Sequence, residues 1–241
     1  MVKKIYRNKG SKDNIIISIA GAHGVGKSTI FNLLKNKAAE MDDFKFKFFP
    51  ERYVKNPPFP FGSSNKQIAF RSELHFLQQL IKRNRSVRNF DEKYNGRIII
   101  LDRTPLCVLI YSKSLDLKEK DYKLILDTYN SVKWIEDYII YLSAEPNIIL
   151  KRIIQRGSLE KVRNEWNEDQ RDYLLKILSN YNKMLLTKIE KNKLFIINTD
   201  NLTQVEVLKQ VENIIINLSD YSFKKQIKPP AKQMSLNKFL K

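Results

Sequence analysis

Cysteine is nearly absent from this 241-residue chain, which contains only Cys107. A single cysteine excludes an internal disulfide, so a packed core must stabilise the fold, and it favours a reducing compartment. No apolar run approaches the roughly 20 residues that span a bilayer, and the run that follows the basic N-terminus is too short for a secretory signal. We therefore expect a cytoplasmic protein without a membrane segment.

Acidic residues are also few, with 26 Asp and Glu against 44 Lys and Arg and a formal net charge of +18. A basic excess suits phosphate-bearing partners such as nucleotides or nucleic acid, or an acidic protein surface. The basic residues are spread along the chain, so a lysine-rich surface without any such partner explains the charge equally well. Direct nucleic-acid binding stays an open alternative.

Glycine is scarce, with seven residues, and three of them fall in one stretch. Residues 21–29 read Gly-Ala-His-Gly-Val-Gly-Lys-Ser-Thr and fit the pattern G-x-x-x-x-G-K-[ST] at every fixed position. An apolar run, 14–20, precedes this stretch and an amphipathic one, 29–39, follows it. That is the strand, loop and helix context of a phosphate-binding loop.

This loop predicts a site for ATP and Mg²⁺. Its backbone N–H groups and the start of the helix would surround the phosphates, Lys27 would reach the β- and γ-phosphates, and the Ser28 hydroxyl would hold Mg²⁺. The predicted ATP-binding residues are Gly21, Gly24, Gly26, Lys27, Ser28 and Thr29. Glycine-rich turns that join strands to helices without binding anything are the plain alternative.

Apolar patterns predict strands and helices in alternation along the rest of the chain. The further strands are 44–49, 97–101, 138–142 and 194–197, and the further helices are 65–89, 106–111, 118–134, 144–157, 168–190 and 203–218. The alternation predicts a three-layer α/β/α fold, with about five parallel strands covered by helices on both faces. We place this domain at 14–218, after a basic arm at 1–13 and before a flexible Lys/Pro tail at 219–241.

Two carboxylates follow predicted strands, and each stands before an arginine, as Glu51-Arg52 and Asp102-Arg103. Ligands of such sheets bind at the carboxyl ends of the strands. Phosphoryl transfer needs a carboxylate near the acceptor hydroxyl and cations around the transferring group, and these pairs would supply both. Surface ion pairs or helix caps are the alternative.

The region after the fourth strand is rich in arginine, with Arg152, Arg156 and Arg163. We predict a flexible lid at about 152–166 that closes over the triphosphate and excludes water. A solvated basic face would have the same composition.

Four motifs together resemble those of the deoxynucleoside kinase and thymidylate kinase group of P-loop kinases, over roughly 14–218. That group carries a glutamate after the second strand, an E-R-S or D-R-[SYH] motif after the third, an L-x-R-I-x-x-R lid and a downstream Y-L-x-x-L helix. The matching residues here are Glu51, Asp102-Arg103-Thr104, the segment 150–156 and the segment 173–177.

The resemblance implies an ATP-dependent nucleoside or nucleotide kinase and gives a role to each matching residue. Glu51 would hold or deprotonate the acceptor 5′-hydroxyl, Arg103 would bridge the acceptor and the donor phosphates, and Arg152 and Arg156 would stabilise the transferring phosphoryl. The further candidates are Gln78 and Arg85 for the acceptor base, Arg52 and Asp102 for the acceptor, and Asp102 with Ser28 for Mg²⁺. Relatives often form homodimers, here through the apolar helix 74–87.

The chain also departs from this group, which leaves the acceptor open. Ser158 replaces a third lid arginine, and Val108 stands where an aspartate pairs with the base-contacting arginine in some members. Thymidylate kinases have an arginine before the strand-two glutamate and an aspartate in the loop, whereas this chain has Arg52 after Glu51 and His23 in the loop. A deoxynucleoside, a deoxynucleoside monophosphate and ribosylnicotinamide remain candidate acceptors.

The last residues of the chain fit a second pattern, Q-x-x-[ILM]-x-x-[FY]-[FYLW], at 233–240. This pattern resembles the peptide by which replication proteins bind sliding clamps of the proliferating cell nuclear antigen (PCNA) type. Its contact residues would be Gln233, Leu236, Phe239 and Leu240. A frayed end that matches by chance is the alternative.

These observations lead to two hypotheses. The first is a kinase of deoxynucleosides or their monophosphates, tethered to the sliding clamp by its tail. The second is a catalytically diverged P-loop NTPase that acts as a clamp-bound or DNA-associated regulator, which the missing lid arginine and the basic charge favour.

Overall fold

The computed structural model describes residues 14–41, 45–51, 59, 62–155 and 169–219. Its strands are β1 (Ile15–Ala20), β2 (Phe46–Phe49), β3 (Ile98–Asp102), β4 (Tyr138–Ser143) and β5 (Leu194–Asn198). Its helices are α1 (Lys27–Glu40), α2 (Lys66–Lys93), α3 (Cys107–Ser114), α4 (Glu119–Ser131), α5 (Pro146–Gln155), α6 (Arg171–Lys188) and α7 (Gln204–Ser219), with a 3₁₀ turn at Lys191–Lys193. Within these ranges, no helix is long and apolar enough to cross a membrane.

Some sequence-based predictions fall on residues outside these ranges. They are the arm 1–13, Arg52, Arg156, Arg163 and Ser158 with most of the lid, and the tail from 220 onwards with its four clamp-contact residues.

The five strands form one parallel sheet in the order β2-β3-β1-β4-β5. This arrangement confirms the predicted α/β fold, and the bounds of its elements differ from the predicted ones by a few residues at most ends. One difference matters for the site: Asp102 is the last residue of β3 and pairs in register with Ile19 of β1. The residues predicted to bind ligands therefore meet at one edge of the sheet.

The central strands are apolar throughout because both of their faces are covered. Ile17 and Ile19 of β1 belong to a core cluster that includes buried residues of α1, α5 and α6, whereas Ile16 belongs to a second cluster with Val87 of α2. Since successive side chains of a strand point to opposite faces, this division places helices on both sides of the sheet.

Helix α2 is fixed at both ends by asparagine side chains. At its start, the Asn65 carbonyl oxygen accepts hydrogen bonds from the N–H groups of Gln67 and Ile68, at 3.0 and 3.3 Å, which is an N-cap. Near its end, the Asn14 amide donates to the Asp91 carbonyl oxygen at 3.0 Å. These contacts set the rotation of α2 and thereby decide which of its side chains face the sheet.

Three apolar residues of α2, the helix that was predicted to pair two copies of the chain, are buried within the chain. Leu77, Leu80 and Val87 are only 0%, 3% and 1% exposed. Their side chains therefore pack in the core of this chain, while Leu74 and Ile81 are half-buried.

The phosphate loop packs tightly against α5, and a substitution at Gly24 tests this contact. Gly24 has φ +76°, and a Cβ there would lie 2.8 Å from carbon atoms of Ile149 and Ile153. Gly96 has φ +67° with open space around the same position. We expect Gly96→Ala to lower the free energy of unfolding by about 1 kcal/mol from backbone strain, and Gly24→Ala to cost about 1–3 kcal/mol more from overpacking.

Urea unfolding without nucleotide measures both losses. Equal losses for the two variants would contradict the prediction, because they would mean that α5 does not confine the loop.

Candidate active site

The phosphate loop lies between β1 and α1, where its sequence placed it. Gly21, Gly24 and Gly26 all have positive φ, at 146°, 76° and 106°, and Gly26 is the N-cap of α1. The loop therefore ends at a helix N-terminus, whose free N–H groups and dipole favour an anion. Ser28 is exposed on the first turn of α1 and Thr29 is half-buried beside it.

Lys27 is buried inside the curve of the loop, and its Nζ donates to the Ala22 carbonyl oxygen at 2.6 Å. Burial, reinforced by the positive charge of Arg103, lowers the pKa of Lys27 to about 7. A phosphate in the loop would provide the negative charge that stabilises the ammonium form.

Asp102 and Ser28 form the arrangement expected for a magnesium site. The Ser28 hydroxyl lies 3.4 Å from Asp102 Oδ2, and Asp102 Oδ1 is buried without a hydrogen-bond partner among the described residues. Burial, together with the charge of Glu51, raises the pKa of Asp102 against the opposing effect of Arg103. A hydroxyl and a carboxylate are oxygen ligands of the kind Mg²⁺ prefers, with phosphate oxygens and water as the rest.

The two strand-end motifs contact each other directly. Arg103 Nε donates to Glu51 Oε2 at 2.8 Å, and both side chains are 19% exposed. Arg103 has φ +72°, a left-handed conformation that is costly for a residue other than glycine. A carboxylate and a guanidinium are thus held together beside Asp102, at the carboxyl ends of β2 and β3.

Tyr111, which the sequence did not single out, connects this pair to the phosphate loop. Its hydroxyl oxygen accepts hydrogen bonds from the backbone N–H of His23 at 3.1 Å and from Arg103 at 3.5 Å. The Arg103 guanidinium lies 5.7 Å from the centre of the Tyr111 ring, within the range of a cation–π contact. The His23 ring stacks on Tyr173 of α6, with 6.1 Å between the ring centres.

Arg83 is a second residue that the sequence did not single out. It is buried on α2 and donates to the carbonyl oxygens of Asp102 and Arg103. Burial lowers its pKa. By binding both carbonyls, Arg83 stabilises the unusual backbone conformation at Arg103. A charged residue inside the apolar stripe of α2, between Leu80 and Val87, was the signal that marked it.

Arg152 contacts both the phosphate loop and the loop after β5. Its guanidinium donates to the hydroxyl and the carbonyl oxygen of Thr199 at 2.9 and 2.6 Å, and lies 3.5 Å from the Val25 carbonyl oxygen. Thr199 follows β5, so Arg152 connects α5 to the loop after that strand.

The two residues predicted to contact the acceptor base lie apart from these groups. Gln78 and Arg85 are both exposed on α2, whereas Glu73 and Arg83 of the same helix are buried. The face of α2 that carries Glu73 and Arg83 packs towards α3 and the strand ends, because the charge of Arg103 acts on Glu73 and Arg83 binds Arg103.

A phosphate loop on a parallel sheet, with a carboxylate and an arginine at neighbouring strand ends, defines the class of P-loop kinases. Comparison with protein families narrows this class, because the deoxynucleoside kinase family matches residues 17–221. The chain belongs to the deoxynucleoside kinase family and is a nucleoside kinase.

Two known proteins are similar to the chain over most of its length. A deoxyadenosine/deoxycytidine kinase of Bacillus subtilis is 24% identical over 211 residues, which are 84% of this chain and 94% of that protein. A dephospho-CoA kinase of Mycoplasma genitalium is 24% identical over 194 residues, covering 74% of this chain and 96% of that protein.

Two structures of deoxyadenosine kinase from M. mycoides share the fold. One, with the products dCMP and dCDP, superposes with a TM-score of 0.67 at 22% identity, covering 83% of this chain and 98% of that one. The other, with bound dATP, has a TM-score of 0.65 at 24% identity, with the same coverage.

The support that Arg83 gives to Arg103 leads to a test. A lysine at position 83 lacks the planar, forked donor geometry with which the guanidinium holds both carbonyls, so we expect Arg83→Lys to lower kcat about 100-fold through misplacement of Arg103. The affinity for ATP should change little, because lysine keeps the positive charge and the hydrogen bonds of Arg83 go to Asp102 and Arg103 rather than to the phosphate loop. Lys82→Arg, an exposed position on the same helix, is the control and should behave as the unaltered protein. Steady-state kinetics measures kcat, and calorimetric titration measures the affinity for ATP. An unchanged kcat in Arg83→Lys would contradict the role of Arg83 in positioning Arg103.

Proposed function

We propose that this kinase transfers the γ-phosphoryl group of ATP to the 5′-hydroxyl of a deoxynucleoside. The observation that carries the proposal is the contact between Glu51 and Arg103 beside the phosphate loop. In this pair, Glu51 accepts or orients the proton of the attacking hydroxyl, and Arg103 offers its remaining N–H groups to the oxygens of the transferring phosphoryl.

The same pair favours a nucleoside over a nucleoside monophosphate as the acceptor. A monophosphate would bring a second negative group next to Glu51, and Arg103, which already contacts Glu51, would have to compensate both charges. A neutral 5′-hydroxyl avoids this repulsion and uses the carboxylate as its hydrogen-bond acceptor.

Residues of the phosphate loop would hold the ATP. Lys27 would bind the β- and γ-phosphates, and Ser28 and Asp102 would hold Mg²⁺. Magnesium bound with ATP neutralises charge on the phosphate oxygens. The unpartnered Asp102 Oδ1 supports this assignment. Arg152 would have to leave Thr199 before it could reach a phosphate, while the proposed roles of Arg52 and Arg156 rest on the sequence alone.

The names of the relatives suggest which acceptors to try first. The Bacillus subtilis relative is a deoxyadenosine/deoxycytidine kinase, and the M. mycoides structures are of a deoxyadenosine kinase. We propose deoxyadenosine and deoxycytidine as the preferred acceptors.

Replacement of Glu51 tests the catalytic role. Glu51→Gln keeps the size of the side chain but removes the base and its charge, so we expect kcat to fall about 100- to 10,000-fold. ATP should still bind with nearly unchanged affinity. Transfer of labelled γ-phosphate measures kcat, and an equilibrium titration measures the affinity for ATP. Unchanged turnover would remove Glu51 from the mechanism.

A panel of acceptors decides between the kinase and a diverged NTPase. Deoxynucleosides, ribonucleosides, their monophosphates and nicotinamide riboside are incubated with ATP and Mg²⁺, and the phosphorylated product is identified. Product from a deoxynucleoside supports the kinase. ATP hydrolysis without transfer, combined with salt-sensitive DNA binding, supports the regulator instead.

We also propose, from the sequence alone, that the tail binds a sliding clamp. The support is the match of residues 233–240 to the clamp-binding pattern behind a Lys/Pro-rich segment. We expect Phe239→Ala to weaken binding of the full chain to a PCNA-type clamp by about 30-fold or more, as for an anchor residue. Ser235→Ala, at a variable position of the pattern, is the control. Equal affinity of the two variants, measured by calorimetry, would contradict the proposal.

The oligomeric state and the location of the protein stay predictions. A homodimer would need a surface other than the buried residues of α2. Cys107 is fully buried and burial raises its pKa to about 12, so it suits a packing role and the reducing, cytoplasmic setting that we propose.

A further inference from the structure

The hydroxyl group of Tyr111 joins two parts of the site, and the proposed transfer step leaves it without a role. Its oxygen accepts a hydrogen bond from the backbone N–H of His23 in the phosphate loop at 3.1 Å, and another from the Arg103 guanidinium at 3.5 Å. Within the described part of the chain, the Tyr111 O–H donates to no other group. Because a phenol both accepts and donates, its hydrogen is left for water or for a bound ligand.

Packing holds the Tyr111 ring in place. The ring contacts that of His23, with 6.3 Å between the ring centres, and the ring of Tyr181 meets it edge-on at 6.4 Å. Burial raises the pKa of Tyr111 to about 12, against the positive charge of Arg103, which lowers it. The hydroxyl therefore keeps its hydrogen at neutral pH, and the fold holds a neutral O–H group between the phosphate loop and Arg103.

We propose that Tyr111 is a positioning residue that couples the binding of phosphate in the loop to the placement of Arg103. This inference rests on the proposed function, in which Arg103 acts on the transferring phosphoryl. When a phosphate oxygen of ATP accepts the Tyr111 O–H, the hydroxyl oxygen becomes a better acceptor, because hydrogen bonds in a chain polarise one another. The long 3.5 Å contact with Arg103 then tightens, as hydrogen bonds of active sites do when ligands bind.

The charges around Tyr111 favour a phosphate as the acceptor of its hydrogen. Arg103 contacts the hydroxyl, and its charge also acts on Lys27 in the loop. The nearby carboxylate of Glu51 is engaged by Arg103 Nε at 2.8 Å. An anionic ligand would thus meet two cations and a neutral donor. Since coupling between two sites is reciprocal, ATP should raise the affinity for the acceptor and the acceptor should raise the affinity for ATP by the same factor.

The test measures this coupling factor directly. Calorimetry gives the dissociation constant of deoxyadenosine for the full chain, with and without saturating β,γ-methylene-ATP and Mg²⁺. In the unaltered protein we expect the analogue to lower this constant about fivefold or more, the usual range for two coupled sites. Tyr111→Phe keeps the ring and its contacts but lacks the hydroxyl, so the analogue should change the constant less than about twofold. An analogue without effect on the unaltered protein would overturn the proposal.

Tyr181→Phe is the matched control, because it makes the same chemical change in a neighbouring buried tyrosine. The Tyr181 hydroxyl has no hydrogen-bond partner among the described residues, so its loss should leave the coupling factor at the value of the unaltered protein. An equal coupling factor in Tyr111→Phe and in the unaltered protein would overturn the proposal. So would its loss in both variants, because the contacts of the Tyr111 hydroxyl would then not be what carries it.

Kinetics separates a positioning role from a structural one. With a less well placed Arg103, we expect kcat of Tyr111→Phe to fall about tenfold. A hydroxyl that only stabilises the fold would lower the free energy of unfolding, measured in urea, and leave the kcat of the folded protein unchanged. That second result would overturn the proposal.

Failure of the proposed function would be seen separately, because the effect on Arg103 can be measured without an acceptor. The NMR signal of the Arg103 Nε–H group, identified by its absence in Arg103→Lys, reports how fast this hydrogen exchanges with water. Binding of β,γ-methylene-ATP, checked by calorimetry, should slow this exchange in the unaltered protein and in Tyr181→Phe but much less in Tyr111→Phe. Equal slowing in all three would overturn the proposal, even if no deoxynucleoside binds.

Discussion

The balance of buried charge at the carboxyl ends of the strands is the constraint on which the site depends. Three cationic side chains, Lys27, Arg83 and Arg103, face two carboxylates, Glu51 and Asp102. Removing charges from water is costly unless opposite charges compensate them. Burial, reinforced by the positive charge of Arg103, lowers the pKa of Lys27. A phosphate group bound in the loop would stabilise the ammonium form of Lys27 and so compensate part of this cost.

This balance depends on a single backbone reversal after β3. The N–H of Arg103 donates to the Ile19 carbonyl oxygen at 3.0 Å, which extends the pairing with β1 by one residue. The positive φ then turns the side chain towards Glu51, and Arg83 binds the two carbonyls that this turn exposes. Strained residues persist where several contacts determine them, and here α2 and β1 both do so. Helix α2 therefore contributes to the proposed chemistry through a residue that need not touch the substrate.

The sequence predicted the features that need particular residues at fixed spacing. The phosphate loop requires glycines with positive φ and a lysine at one position, and the strands between helices require continuous apolar runs. Tyr111 could not be found in this way, because it acts through contacts between distant segments that leave no local pattern, and Arg83 was marked only by its charge inside the apolar stripe of α2. Gln78 was chosen from the family resemblance, and the packing of Leu77, Leu80 and Val87 leaves it on the solvent side of α2.

The strand order divides the proposed site into two halves around β1. On one side, Glu51 and Arg103 follow β2 and β3, and α2 adds Arg83. On the other side, β4 and β5 lead to the loop where Thr199 holds Arg152. The phosphate loop follows the central strand and is shared by both halves. An acceptor bound near β2 and β3 and a donor base bound near β5 would therefore approach the γ-phosphate from opposite directions, which is the in-line arrangement that phosphoryl transfer requires.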